Sequence, residues 1–126
     1  MAALTKPSTE GDVLKFDLDK NYTREVVTLA AGTNYKIGSV LGQVTASGKY
    51  KLSPATGSTG EQIAVAVLIK AVDATSADAA GVVVRRGPAI LALDGLVFDA
   101  TVAGATAIAT KVGQLVAAGL VVRNNA

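Results

Sequence analysis

Along most of this chain the apolar positions come in short alternating stretches. They switch to a three- and four-residue period only near the C-terminus. In DVLKFDL (Asp12–Leu18), Val13 and Leu14 are apolar, and Phe16 and Leu18 continue at every second position. That pattern predicts an extended segment. REVVTLAAG (Arg24–Gly32) predicts a short strand ending at glycine. YKIGSVLGQVT (Tyr35–Thr45) predicts another, interrupted by Gly38 and Gly42. Glycine inside a strand marks a bulge, a bend or a close backbone approach. Ser47-Gly48 forms a turn and KYKLS (Lys49–Ser53) returns, so Val40–Ser53 reads as a hairpin.

Pro54–Glu61 is rich in turn residues and reads as a loop. In QIAVAVLIKAVDAT (Gln62–Thr75), small residues alternate with Ile63, Val65 and Val67. This predicts a strand packed closely on both faces, and its β-branched content argues against a buried helix. Ser76–Gly81 reads as a loop and Val82–Arg86 as a strand. Gly87-Pro88 breaks the pattern, and Ala89–Leu93 is a second apolar piece. Further on, Val102, Ala105, Ile108, Ala109, Val112, Leu115 and Val116 recur at helical spacing. A helix is expected near Ala103–Ala118, with Thr101 as N-cap and Gly119 in the C-cap region. A short strand, Leu120–Arg123, should follow. Residues 1–21 read as an extended arm with Pro7, Gly11 and mixed charge, and residues 22–126 as one β-rich domain.

Composition sharpens this picture. A chain of 126 residues is one domain in size, and half of them are apolar. Only 4% are aromatic, so the core must be built from Val, Ile, Leu and Ala. So thin a core suggests that some apolar surface is covered by other subunits. Twelve basic and ten acidic side chains leave a net charge of +2. The cations are scattered and Arg85-Arg86 is the only adjacent pair, so no nucleic-acid partner is expected. No run reaches the roughly 18 apolar residues of a membrane span. The N-terminal residues show no apolar core of signal-peptide length. The expectation is a soluble protein made in the cytoplasm, with no membrane partner.

The chemistry of common active sites is missing. There is no cysteine and no histidine. Disulfides, thiolate metal sites, histidine-based triads and the usual zinc sites are excluded. GQVTASGKY (Gly42–Tyr50) superficially resembles a phosphate-binding loop, but five residues separate Gly42 from Gly48 and Tyr50 stands in the magnesium-binding position. A hairpin turn is the better reading. Asp94 and Asp99 fit a turn better than a catalytic pair. Asp73 and Asp78 lack the spacing of a calcium loop. Asn21-Tyr22-Thr23 matches a glycosylation sequon without a secretion signal. No enzyme, cofactor or metal is expected.

Several segments, in order, resemble one family: GDVLK (Gly11–Lys15), YTREVVTLAAG (Tyr22–Gly32), GSVLGQVTASGKYKLSP (Gly38–Pro54), AVAVLIKAVDAT (Ala64–Thr75), RRGPAIL (Arg85–Leu91) and GLVVR (Gly119–Arg123). From about Gly11 to Arg123 the chain is similar to the head decoration proteins of lambda-like tailed bacteriophages. The resemblance implies a mainly β fold of the β-clip kind, with a short C-terminal helix and an extended N-terminal arm. It implies a homotrimer on the outer surface of the virion capsid, at local three-fold points. There it would clamp major capsid protein subunits against internal DNA pressure. It also implies that the arm docks by adding a strand to the capsid. On this chain that segment is Asp12, Val13, Leu14, Lys15, Phe16 and Leu18. Where some members carry Asp-Gly in the loop, Ser58-Thr59-Gly60 stands here. Two alternatives remain. Asp12–Leu18 could be the first core strand instead of an arm. The protein could be a carbohydrate- or receptor-binding β module on a phage tail or cell surface, although its few aromatics are widely spaced.

Overall fold

A computed structural model describes residues 13–17, 23–87 and 89–123. Ten strands run in chain order: β1 (Leu14–Asp17), β2 (Arg24–Leu29), β3 (Thr33–Tyr35), β4 (Val40–Gln43), β5 (Tyr50–Leu52), β6 (Ala66–Leu68), β7 (Val72–Ala74), β8 (Ala79–Val84), β9 (Ala89–Ala92) and β10 (Val121–Arg123). Among the described residues a 3-10 turn covers Leu93–Gly95, and an α-helix, α1, covers Ala105–Ala117. The fold is mainly β with one short C-terminal helix, as the periodicity predicts.

Five strands close a barrel in the order β2-β5-β4-β6-β8. The predicted hairpin is its β4–β5 pair, with Leu41 opposite Leu52 and Gln43 opposite Tyr50. The closure between β2 and β5 is parallel, at Leu29 and Tyr50. Beside the barrel lies a three-stranded sheet in the order β1-β9-β10. β1 runs antiparallel to β9, and β10 runs parallel to it. β3 and β7 form a separate antiparallel pair.

Two apolar clusters make the core, and neighbouring residues of the same strand divide between them. Leu41, Ala66, Leu68 and Val83 join Leu29, Tyr35 and Tyr50 in one cluster. Val40, Val67 and Val84 join Leu91, Leu96, Leu115 and Leu120 in the other. β4, β6 and β8 therefore carry apolar side chains on both faces, which is why β6 reads as a continuous apolar run. All three β6 residues are buried.

Several boundaries differ from the sequence expectation, and Tyr35–Thr45 divides between β3 and β4, which join different sheets. Gln62–Thr75 splits into β6 and β7, because the chain leaves the barrel after Leu68 to pair with β3. Apolar alternation does not reveal which sheet a strand joins. β8 starts at Ala79, inside the expected loop, since Ala79, Ala80 and Gly81 continue the ladder opposite Leu29, Thr28 and Val27. Thr101 does not cap the helix. The N-cap is Gly104, with no side-chain cap. The Thr101 hydroxyl donates to Asp99 at 2.5 Å and accepts from the Ala55 amide at 3.0 Å, so it secures a loop instead.

The helix C-terminus is a Schellman motif. Gly119, at φ 99°, donates its amide to the Val116 carbonyl, and Leu120 donates to that of Leu115. Leu115 and Leu120 are both buried in the same cluster. The left-handed residue thus redirects the chain from α1 into β10.

Gly42 has a different function. A Cβ there would overlap the Glu61 carbonyl, so the bare backbone lets the Pro54–Glu61 loop lie against β4. Gly42→Ala is expected to cost roughly 2 kcal/mol or more, because backbone must move. Gly113 lies within α1, and a Cβ there meets nothing within 4 Å. Gly113→Ala should stabilise by about 0.5–1 kcal/mol through helix propensity. Denaturant titration of both variants checks the contrast, and equal effects would contradict it.

Candidate functional site

Val13 is fully buried and Leu14 nearly so, both in the cluster beneath β9 and α1. Their neighbours there include Leu91, Ala89 and Leu115. Lys15 is exposed. Phe16 and Asp17 pair through their backbones with Ile90 and Ala89. Asp12 and Leu18 lie outside the described residues, as does most of the predicted arm. Val13–Asp17 thus packs on the domain, whereas the composition places the arm boundary after Asn21. β1 is an edge strand of its sheet, so one side of its backbone ladder faces no other strand of this chain among the described residues.

The Pro54–Glu61 loop is polar but strapped down. The Thr45 amide donates to the Thr59 carbonyl at 2.9 Å. The Thr59 hydroxyl lies 2.5 and 2.6 Å from the two carboxylate oxygens of Glu61. That contact holds the Glu61 carboxyl below the usual carboxylate range, with Lys51 adding to it. The Gly60 amide donates to Gln62 Oε1 at 2.8 Å. Lys111 of α1 closes the far side. It is 1% exposed, and its ammonium donates to Ser53 Oγ at 2.9 Å and to the Gln62 carbonyl. Gln114 Oε1 accepts from the Ala64 amide at 2.8 Å. The loop is therefore tied to the hairpin and to the helix at once. A rigid polar surface next to a barrel suits contact with another macromolecule better than it suits an enzyme lid.

Of the carboxylates raised as chemical candidates, Asp73, Asp78 and Asp99 have local partners. Asp73 accepts from the Thr75 hydroxyl and amide. Asp78 accepts from the Ala31 amide at 2.8 Å and pairs with Lys49 at 2.5 Å. Asp99 accepts from Thr101. Among the described residues no group of three or more His, Cys, Asp or Glu converges as metal ligands. No helix among them is long and apolar enough to cross a membrane. At one end of the barrel Glu25 bridges Arg85 at 3.5 Å and Arg86 at 3.3 Å. Arg85 also donates to the Tyr50 hydroxyl. Burial pushes the Tyr50 phenol up, and Arg85 opposes that shift. Tyr35 and Tyr50 are 1% and 3% exposed, so neither offers a stacking platform for a sugar ring.

The helical stripe behaves unexpectedly. The buried residues of α1 are Lys111 and Leu115, whereas Val116 is 54% exposed. Ala105 and Ala109 are also exposed. Lys111 is the one charged side chain of α1, so the outward face of the helix carries no charge. The apolar period was legible, but its inward and outward sides were not. A lone lysine four residues before a core leucine was the available signal.

A family model described as bacteriophage lambda head decoration protein D matches residues 3–120. No curated protein matches the chain. With nearly its whole length matched, the chain belongs to the head decoration protein D family, which is structural and not enzymatic.

Proposed function

We propose that this head decoration protein binds the outer surface of the expanded capsid at local three-fold points, as a homotrimer. There it holds adjacent major capsid subunits together against the outward pressure of packaged DNA. Capsid decoration itself follows from family membership. The observation that carries the cementing reading is the rigid, doubly strapped surface joining loop, hairpin and helix. A clamp must resist deformation, and side chains tied in this way lose little further freedom when a partner docks.

The uncharged outer face of α1, with exposed Val116 in its last turn, supports association between copies. The segment Asp12–Leu18 supports docking in a modified form. Val13 and Leu14 serve the fold, while the outer edge of β1 and the residues before it reach the capsid. Free edges pair with a partner strand through main-chain hydrogen bonds.

The test is to mix the protein with undecorated, expanded capsids and to heat DNA-filled capsids with and without it. Saturable binding and a higher temperature of DNA release are expected. Equal release midpoints would remove the cementing function even where binding persisted. Sedimentation equilibrium should report three chain masses.

A further inference from the structure

The thinnest seam of the barrel lies between β2 and β5. β2 pairs with β8 along its whole length, from Arg24 to Leu29, but with β5 only at Leu29, opposite Tyr50. There the Ala30 amide donates to the Tyr50 carbonyl at 2.8 Å. Side chains from the two ends of β8 supply further hold. Asp78 immediately precedes β8. It accepts from the Ala31 amide at 2.8 Å and pairs with Lys49 at 2.5 Å. Arg85 immediately follows β8. It pairs with Glu25 of β2 at 3.5 Å, donates to the Tyr50 hydroxyl and lies 5.5 Å from the centre of the Tyr50 ring. Lys49 and Tyr50 are consecutive, at the start of β5. The residues flanking β8 thus hold β5 across the seam at two points. Ala30 has a separate anchor: its carbonyl accepts from the Tyr35 hydroxyl at 2.8 Å. Parting of the seam therefore separates Tyr50 from an Ala30 that stays with β3.

We propose that these ties form a salt-sensitive clasp, and that ionic strength sets how often the β4–β5 hairpin parts from β2 while the rest of the barrel stays closed. Local openings occur where few backbone bonds hold a segment. Here much of the hold is ionic. Lys49, Asp78, Arg85 and Glu25 are all partly exposed, so dissolved ions reach them and screen their attraction. The seams on the far side of the barrel differ. The Val65 amide donates to the Leu41 carbonyl at 2.9 Å, and the Ile69 amide to the Val82 carbonyl at 3.1 Å. Leu41, Val67, Leu68 and Val83 are buried there. None of the ion pairs named among the described residues spans those seams. The clasp belongs to the free domain and does not depend on the capsid-binding reading.

The test is native-state amide exchange in the full chain, read at Ala30, Val65 and Ile69 with low concentrations of denaturant. In the wild type, Ala30 should exchange about tenfold or more faster than the other two, after correction for intrinsic rates. Its rate should rise little with denaturant, because a local opening bares little surface. Raising salt from about 0.05 M to about 1 M shortens the screening length to about 3 Å. That should speed Ala30 exchange about threefold. Lys49→Gln removes one tie and should speed it about threefold at low salt. Arg85→Met leaves the buried Tyr50 hydroxyl without its donor and should speed it about tenfold. The salt response should shrink in Lys49→Gln and vanish in the double variant. Ala30 matching Ile69 in both rate and denaturant dependence would overturn the proposal, since the seam would then open only with the whole domain. Wild-type exchange indifferent to salt would overturn it too. Lys49→Gln lies at a partly exposed position, so a salt response that it leaves undiminished decides against the clasp even where Arg85→Met does not fold.

Discussion

Deleting residues 1–20 should unfold the protein or drive it to aggregate, whereas deleting residues 1–10 should leave it folded. The longer deletion removes Val13 and Leu14 from the cluster under β9 and α1. Burying a side chain of that size is worth about 1.5–3 kcal/mol, so the pair contributes about 3–6 kcal/mol. β1 also supplies the antiparallel ladder along β9. Its loss leaves β9 with one neighbour and an unpaired edge beside exposed core residues, an aggregation hazard. Domains of this size are stable by only about 5–15 kcal/mol, so the deletion removes much of that margin. Circular dichroism melts and light scattering report the outcome. A monodisperse 21–126 fragment with the wild-type midpoint would show that β1 is dispensable. The shorter deletion isolates docking from folding. Lost capsid affinity with an unchanged melt would place the docking residues ahead of Gly11. Retained affinity would leave docking to the outer edge of β1 and the rest of the surface.

The same segment shows what the sequence conveys and what it withholds. Phe16 and Leu18 continue an alternation that identifies extended chain, and Leu14–Asp17 is a strand. Alternation says nothing about the partner, and β9 is more than 70 residues away. The β4–β5 hairpin was legible because its turn and both strands are local. The barrel was not, because its closure joins Leu29 to Tyr50 through one short parallel contact. Small residues alternating with Ile63, Val65 and Val67 made a strand packed on both faces legible, and that strand is Ala66–Leu68, all of it buried. Ile63, in the same apolar run, is 49% exposed. Hydrophobicity identifies residues able to enter a core, and topology decides which of them do. The function was legible through the ordered resemblance of whole segments and through absent chemistry, not through a site.

Replacing Lys111 should loosen the loop and alter the alkaline stability profile. The ammonium is buried and meets Ser53 Oγ, the Gln62 carbonyl and, at 3.4 Å, Gln114 Oε1. Lys111→Met keeps most of the volume but leaves the Gln62 carbonyl without its donor, a loss of about 1–3 kcal/mol. Lys111→Ala adds a cavity and should cost about 2–5 kcal/mol. Burial lowers the lysine's pKa from its ordinary 10.5, with Asp99 acting in the opposite direction. The folded protein therefore releases this proton at a lower pH than the unfolded chain does. Between the two values the unfolded state binds more protons, so this group makes stability rise with pH and level off above about 10.5. Tyr35 and Tyr50 act oppositely. Burial raises both, so their contribution falls as pH climbs past the ordinary tyrosine value of 10.0. Subtracting the Lys111→Met profile from that of the wild type removes the tyrosines, which both proteins share. The deficit of the variant should widen between neutral pH and about 10.5. Amide exchange gives a local readout. Thr45 donates to the loop carbonyl of Thr59, and Ala55 to Thr101, so both amides should exchange faster in the Met variant. Parallel pH profiles together with unchanged exchange would mean that the loop is held by Gly42 and Thr59 without help from the helix.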